Sequence, residues 1–236
     1  MTISVTLLLM TLNEIDGMKV IVPRIDRSYL EQIIVVDGGS TDGTIEWALE
    51  NNLEVYVQKL RGFRHAYTEV WNQVRGDVVI TFSPDGNSIP EDIPRLIAEF
   101  AKGYDLIIAS RYLPDAGSDD DDVITSFGNW LFTRVVNFLH GGHYSDAMVI
   151  FRIFHRSLPS RLDLFSERHY STVERLFSTK ISWEPLMSVR AARLGLKVAE
   201  IPSREPVRIG GERKLKIWKW GAAYLMQFFL QLKTPR

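Results

Sequence analysis

The chain contains no cysteine, so disulfide staples, thiolate metal sites and redox chemistry on sulfur are all excluded. Its net charge is only −1 over 236 residues, which leaves no uniformly basic surface, and no nucleic-acid partner is expected. No apolar run reaches the roughly 18 to 20 residues needed to cross a bilayer. A basic leader with an apolar core and a small-residue cleavage site is also missing, because Met1 to Met10 is β-rich and runs directly into polar Asn13-Glu14. The five histidines, His65, His140, His143, His155 and His169, lack the paired spacing of a helical metal site. No Gly-x-Gly-x-x-Gly follows the first apolar run, which disfavours a nicotinamide-dependent oxidoreductase. A reducing, cytoplasmic location fits these absences.

What the chain does have is a 45% hydrophobic content, enough for a substantial core. Apolar runs at Ser4 to Leu9, Gln32 to Val36, Glu54 to Val57, Val78 to Phe82 and Leu106 to Ala109 alternate with helix-like segments near Gly17 to Val22, Thr44 to Asn51, Arg64 to Arg75 and Pro90 to Ala101. That alternation predicts an α/β fold with a mostly parallel sheet, whose ligands sit at the carboxyl ends of the strands. Three polar clusters fall at those ends: Asn13-Glu14, Asp37-Gly38-Gly39-Ser40 and Asp85-Gly86-Asn87.

Farther along, Pro114 to Asp122 is a loop rich in Asp, Gly and Ser and a lid candidate, with a helix expected over Ser126 to Leu139. Trp183 to Arg193 reads as helix, Leu196 to Ile201 as a short strand, and Ser203 to Leu215 as an irregular basic stretch. No linker divides the chain, so one domain is expected over 1–215. Residues 216–236 then form an amphipathic helix, placed either on a membrane surface or against the domain or a second subunit in a homodimer.

Asp85 and Asn87, two residues apart on a chain leaving a strand, present oxygen ligands of the kind magnesium or manganese prefers. Asp-Gly and Gly-Asn are also ordinary turn pairs, and the same stretch reads as a solvated loop before a helix. Ile33-Ile34-Val35-Val36-Asp37-Gly38-Gly39-Ser40-Thr41-Asp42-Gly43-Thr44 is more specific: a β-branched run, a tight glycine turn and a capped helix start.

This segment closely resembles the VVDDGSxDGT of family 2 glycosyltransferases of the GT-A fold. Thr11-Leu12-Asn13-Glu14 resembles the end of their first-strand PxYNE, and Gly62-Phe63-Arg64-His65-Ala66 sits where GxGxA is common. Asp85-Gly86-Asn87 occupies the DxD position, and Ala109-Ser110-Arg111-Tyr112 is similar to the GSRY of polyprenyl-phosphate sugar synthases. Asp146 to Arg152 resembles DxxSGFR, while Glu200-Ile201-Pro202 and Arg208 to Leu215 resemble EvP and RxxGxSKL.

The resemblance, nearest to the dolichol-phosphate mannose synthase-like branch, implies an inverting transferase at the cytosolic membrane face. Its donor would be a nucleotide diphosphate sugar, its acceptor a polyprenyl phosphate, and its cofactor a divalent cation on Asp85 and Asn87. The donor would meet Asn13, Glu14, Val36, Asp37, Arg64, Asp85, Arg111 and Lys214, with Asp85, Asp146 and Arg208 as the catalytic set. The sequence departs from the family pattern at Met10, Leu12, Gly38 and Arg213, and it lacks the Ser-Gly of DxxSGFR.

Departure of a nucleoside diphosphate builds negative charge that Arg111, Arg208 and Lys214 suit. A lipid phosphate needs no strong base. A hydroxyl of a glycan or glycolipid would need one, and Asp146 or Glu184 is the candidate, although Asp146 could instead pair with Arg152. Trp183, Trp218 and Trp220 suit either a sugar, a lipid or the core. A non-catalytic nucleotide-sugar binding protein is the remaining alternative.

Overall fold

The computed structural model describes residues 3–210 and 217–234. Lys214, Glu212 and Arg213 lie outside the described residues, as does the side chain of Trp218.

The strands are β1 Val5–Thr11, β2 Gln32–Asp37, β3 Glu54–Val57, β4 Val78–Phe82, β5 Leu106–Ser110, β6 Gly117–Ser118, β7 Arg152–His155, β8 Val198–Pro202 and β9 Arg204–Glu205. The helices are α1 Ile15–Ile21, α2 Thr44–Glu50, α3 Phe63–Val70, α4 Ile93–Phe100, α5 Val123–His140, α6 Leu158–Arg161, α7 Ser171–Phe177, α8 Glu184–Arg193 and α9 Ile217–Gln231. A seven-stranded sheet runs β3-β2-β1-β4-β7-β5-β8, and β6 pairs with β9 beside it.

β1 and β4 are buried along their whole length, as near-continuous apolar runs must be when both sheet faces are covered. One apolar cluster gathers Leu8, Ile34 and Val79 under α3, α8 and α9; the other gathers Leu7, Val35 and Ile80 under α1, α2 and α4. Alternate residues along each strand therefore serve opposite layers.

All pairings in this sheet are parallel except those of β7, which runs antiparallel to both β4 and β5. That reversal matters for the site. Thr81 pairs with Arg152 and Ile108 pairs with Arg152, so the segment entering β7, from Ser145 to Phe151, lies at the edge where β4 and β5 end.

The C-terminal helix α9 packs on α5, α7 and α8, and Ala223, Tyr224 and Phe228 are buried in the main cluster. Arg193 donates to the Gln231 and Thr234 carbonyls at its end, and His140 bonds the Phe228 carbonyl. The helix is thus packed on the domain along one side. Among the described residues no helix is long and apolar enough to cross a membrane.

Candidate active site

The parallel register aligns the carboxyl ends of β2, β1 and β4, with Thr11 paired to Asp37 and Leu9 to Phe82. Asp85 follows β4 by three residues in a loop whose shape two glycines permit. Gly86 has φ +94°, and a Cβ there would meet Ile209 Cγ1 at 2.7 Å. Gly17 on α1 has no room either, since an added Cβ would meet the Pro84 carbonyl oxygen at 2.2 Å. Helix α1 therefore presses directly on the Asp85 loop.

Asp85 is 5% exposed, and its Oδ2 takes a hydrogen-bonded ion pair from Arg208 Nη2 at 2.9 Å. Arg208 Nη1 lies 3.5 Å from Glu14 Oε1, so one guanidinium spans the acids that follow β1 and β4. The Arg208 segment is itself tied to the loop, because Ile209 N donates to the Asp85 carbonyl at 2.7 Å. Asn87 Nδ2 donates to the Pro206 carbonyl at 3.0 Å, which fixes the amide and leaves Oδ1 buried without a hydrogen-bond partner. Asp85 Oδ1 accepts from Asn87 N at 3.0 Å, holding the triplet as a turn.

Among the described residues no three His, Asp or Glu side chains form a metal cluster of their own. The oxygen set of Asp85 and Asn87 nevertheless suits a hard cation, and the unpartnered Asn87 Oδ1 is the kind of buried acceptor such an ion satisfies.

Asn13, at φ 55°, joins the first two strand ends: its N–H donates to Ser40 Oγ at 2.7 Å and its Oδ1 accepts from Thr41 N at 2.8 Å. Asp37, expected to meet a nucleoside, is instead wholly buried. Its oxygens accept from Thr11 Oγ1, Gly39 N, Ser40 N and Ser40 Oγ, so it organises the loop from within. Val36 likewise turns its side chain into the main apolar cluster.

Two arginines expected at phosphates are committed to carboxylates. The Arg64 side chain is 2% exposed, pairs with Glu167 and with Glu174 at 3.0 Å, and lies over the Tyr170 ring. Arg111 grips Asp146 through Nε at 2.7 Å and Nη2 at 3.1 Å, and its Nη1 is 3.3 Å from Glu205. The alternative Asp146–Arg152 bridge is not formed; Arg152 donates to the Val149 and Glu184 carbonyls.

Burial alone would raise the Asp146 carboxyl, but the Arg111 guanidinium outweighs it and holds the group below the ordinary 3.8. An ionised carboxylate locked in a guanidinium fork is a poor base. Glu184, the other base candidate, is 3% exposed, accepts the Tyr67 hydroxyl at 2.6 Å and also bonds Ser182. Burial pushes it up. Trp183 stacks on Tyr67 at 4.4 Å in the core.

Glu200, part of the EvP-like segment but not among the candidate site residues, organises the neighbouring turn. Its carboxylate accepts from Ser145 N, Ser145 Oγ and Asp146 N at 2.7 to 2.9 Å, fixing the turn that presents Asp146 to Arg111. The acidic run is no free lid: Asp119 pairs with Arg204 at 3.0 Å, Asp120 accepts from Arg208 N, Asp121 bonds the Tyr112 hydroxyl, and Asp122 caps α5. With β6 paired to β9, the 113–122 loop and the Arg208 segment form one strap across the strand ends.

A strand-end acid and arginine site on this sheet is that of a GT-A fold glycosyltransferase. A family model, "Glycosyl transferase family 2", matches residues 8–162, and the chain belongs to that family. Glycosyltransferase AglJ of Haloferax volcanii is 26% identical over 98% of this chain and 73% of its own length. An undecaprenyl-phosphate mannosyltransferase of Micrococcus luteus is 26% identical over 90% of this chain and 92% of its own length. A dolichol-phosphate mannosyltransferase of Pyrococcus furiosus is 28% identical over 90% of this chain, which spans 59% of that protein. Among solved structures, glucosyl-3-phosphoglycerate synthase of Mycobacterium tuberculosis, in complex with Mn2+, UDP and glucosyl-3-phosphoglycerate, superposes with a TM-score of 0.69. It is 19% identical, over 99% of this chain and 81% of that one, and shows a shared fold.

Proposed function

We propose that the chain transfers a hexosyl group, with inversion, from a nucleoside diphosphate sugar to a polyprenyl phosphate at the cytosolic face of a membrane. The observation that carries this is the Arg208 guanidinium held between Asp85 and Glu14 at the ends of β4 and β1. When the anomeric C–O bond breaks, its electron pair leaves with the diphosphate, and a cation already in place stabilises that charge. Arg208 would supply it by turning from Asp85 and Glu14 to the diphosphate, and Asn13 and Glu14 would meet the nucleoside. Asp85 and Asn87 would hold a magnesium or manganese ion, whose chemistry when bound is to neutralise the diphosphate.

The acceptor class follows from the state of the acids. Asp146 is consumed by Arg111, and Glu184 by Tyr67 and Ser182, so neither base candidate is available to a hydroxyl acceptor. A phosphate oxygen is already anionic and attacks without one. The named activities of the Micrococcus and Pyrococcus relatives favour the same acceptor class.

The test supplies labelled nucleotide sugars with manganese and either undecaprenyl or dolichyl phosphate in detergent. Label should move into the organic phase with the polyprenyl phosphate. Transfer confined to free glycans, or binding without turnover, would overturn the proposal.

A further inference from the structure

The Asp85 carboxylate gives one oxygen to its own loop and the other to a cation. Oδ1 accepts from Asn87 N at 3.0 Å, while Oδ2 meets Arg208 Nη2 at 2.9 Å. The oxygen that a divalent ion would draw from Asp85 is therefore the one a guanidinium already holds. Two cations on one carboxylate oxygen repel, so the ion and Arg208 exclude each other there.

Arg208 is held firmly through its backbone and loosely through its side chain. Its N–H points to Asp120 Oδ1, Ile209 N donates to the Asp85 carbonyl at 2.7 Å, and Ile209 fills the space a Cβ on Gly86 would need. The segment is thus fixed across the Asp85 loop. The guanidinium, by contrast, comes only within 3.5 Å of Glu14, and its Nε is buried without a hydrogen-bond partner among the described residues. A buried donor left unmatched is costly, and a fork that is only partly satisfied by carboxylates is suited to change them for a phosphate.

We propose that Arg208 is a built-in competitor for the divalent cation: its guanidinium fills the Asp85 side of the metal site, and an entering dication displaces it toward the anion that accompanies the metal. Metal alone meets a carboxylate that is already neutralised. Metal arriving with a diphosphate gives the displaced guanidinium a new partner, so by linkage dication and diphosphate tighten each other's binding through this one side chain.

The inference rests on the reading above that Asp85 and Asn87 hold a metal, but its test needs neither sugar donor nor acceptor. Mn2+ titration, followed by loss of the free-ion electron paramagnetic resonance signal, should show Arg208→Gln binding at least about tenfold tighter than the parent. Adding Asp85→Ala should abolish that gain. Arg204→Gln, which removes an exposed cation from the same strap, should stay within about twofold of the parent. Mn2+ should also raise the melting temperature of Arg208→Gln more than that of the parent, which reads the gain on folded protein. Arg208→Gln binding no tighter than the parent, a gain that survives Asp85→Ala, or an equal gain in Arg204→Gln would overturn this proposal and leave the metal reading standing. Absence of Mn2+ binding from the parent and every variant, with and without UDP, would refute the metal reading itself.

Discussion

Replacing Arg111 by methionine should unfold the site far more readily than replacing Asp146 by asparagine, although the two residues share one ion pair. The side chains of Arg111 and Asp146 are 11% and 0% exposed, and Glu205 stands 3.3 Å away on the other side of the guanidinium. At about 4 Å and an effective dielectric near 20, one such attraction is of order 4 kcal/mol. Stranding a buried charge costs about 3 to 5 kcal/mol. Arg111→Met leaves Asp146 and Glu205 facing each other without a cation and should cost about that much, lowering Tm by roughly 6 to 20 °C. Asp146→Asn leaves Arg111 with Glu205 and should cost about 1 to 3 kcal/mol.

The pH dependence distinguishes this from simple loss of packing. In the parent, Asp146 lies below 3.8, so its stabilisation is complete above that value and is lost as pH falls through its folded value. In Arg111→Met, burial and mutual repulsion raise both carboxyls, so that variant loses stability as pH rises. The Tm gap between parent and variant, measured by calorimetry from neutral pH downward, should narrow toward acid. A gap that is constant with pH, or smaller than that of Asp146→Asn, would refute the reasoning.

Two further outcomes follow. Arg64→Met should destabilise the fold by about 2 to 4 kcal/mol in denaturant titration, because it leaves buried Glu174 with Lys180 as its one described cation, while nucleotide affinity by calorimetry stays within about twofold of the parent. Gly17→Ala should lower transfer at least tenfold with a smaller effect on folding, since its Cβ would displace the Pro84 carbonyl and the Asp85 loop; full activity would show that α1 does not set that loop.

The strands that build the site were legible because each is an apolar run with a polar cluster at its carboxyl end. β3 and β4 fall where the pattern put them, and β1, β2 and β5 run slightly longer than expected. The reversal of β7 was not legible, since a short apolar segment reads alike in either direction. The carboxylate partners of the arginines were not legible for a physical reason: a guanidinium fork suits carboxylate and phosphate equally, and the carboxylates that take Arg64 are 103 and 110 residues away in sequence. Asp37 showed the same ambiguity, as a carboxylate at a strand end serves a ligand or its own loop with the same oxygens. Asp119 and Asp120 find their partners, Arg204 and Arg208, 85 and 88 residues away, so a strap looked like a loose lid.

The central claim is that Arg208 neutralises a departing nucleoside diphosphate together with a divalent cation that Asp85 and Asn87 would hold, and its most direct test is sugar release or transfer from a labelled nucleotide sugar by Asp85→Ala. The account predicts loss of at least about a thousandfold in rate with the fold intact by circular dichroism. Parent-like turnover in that variant would contradict it.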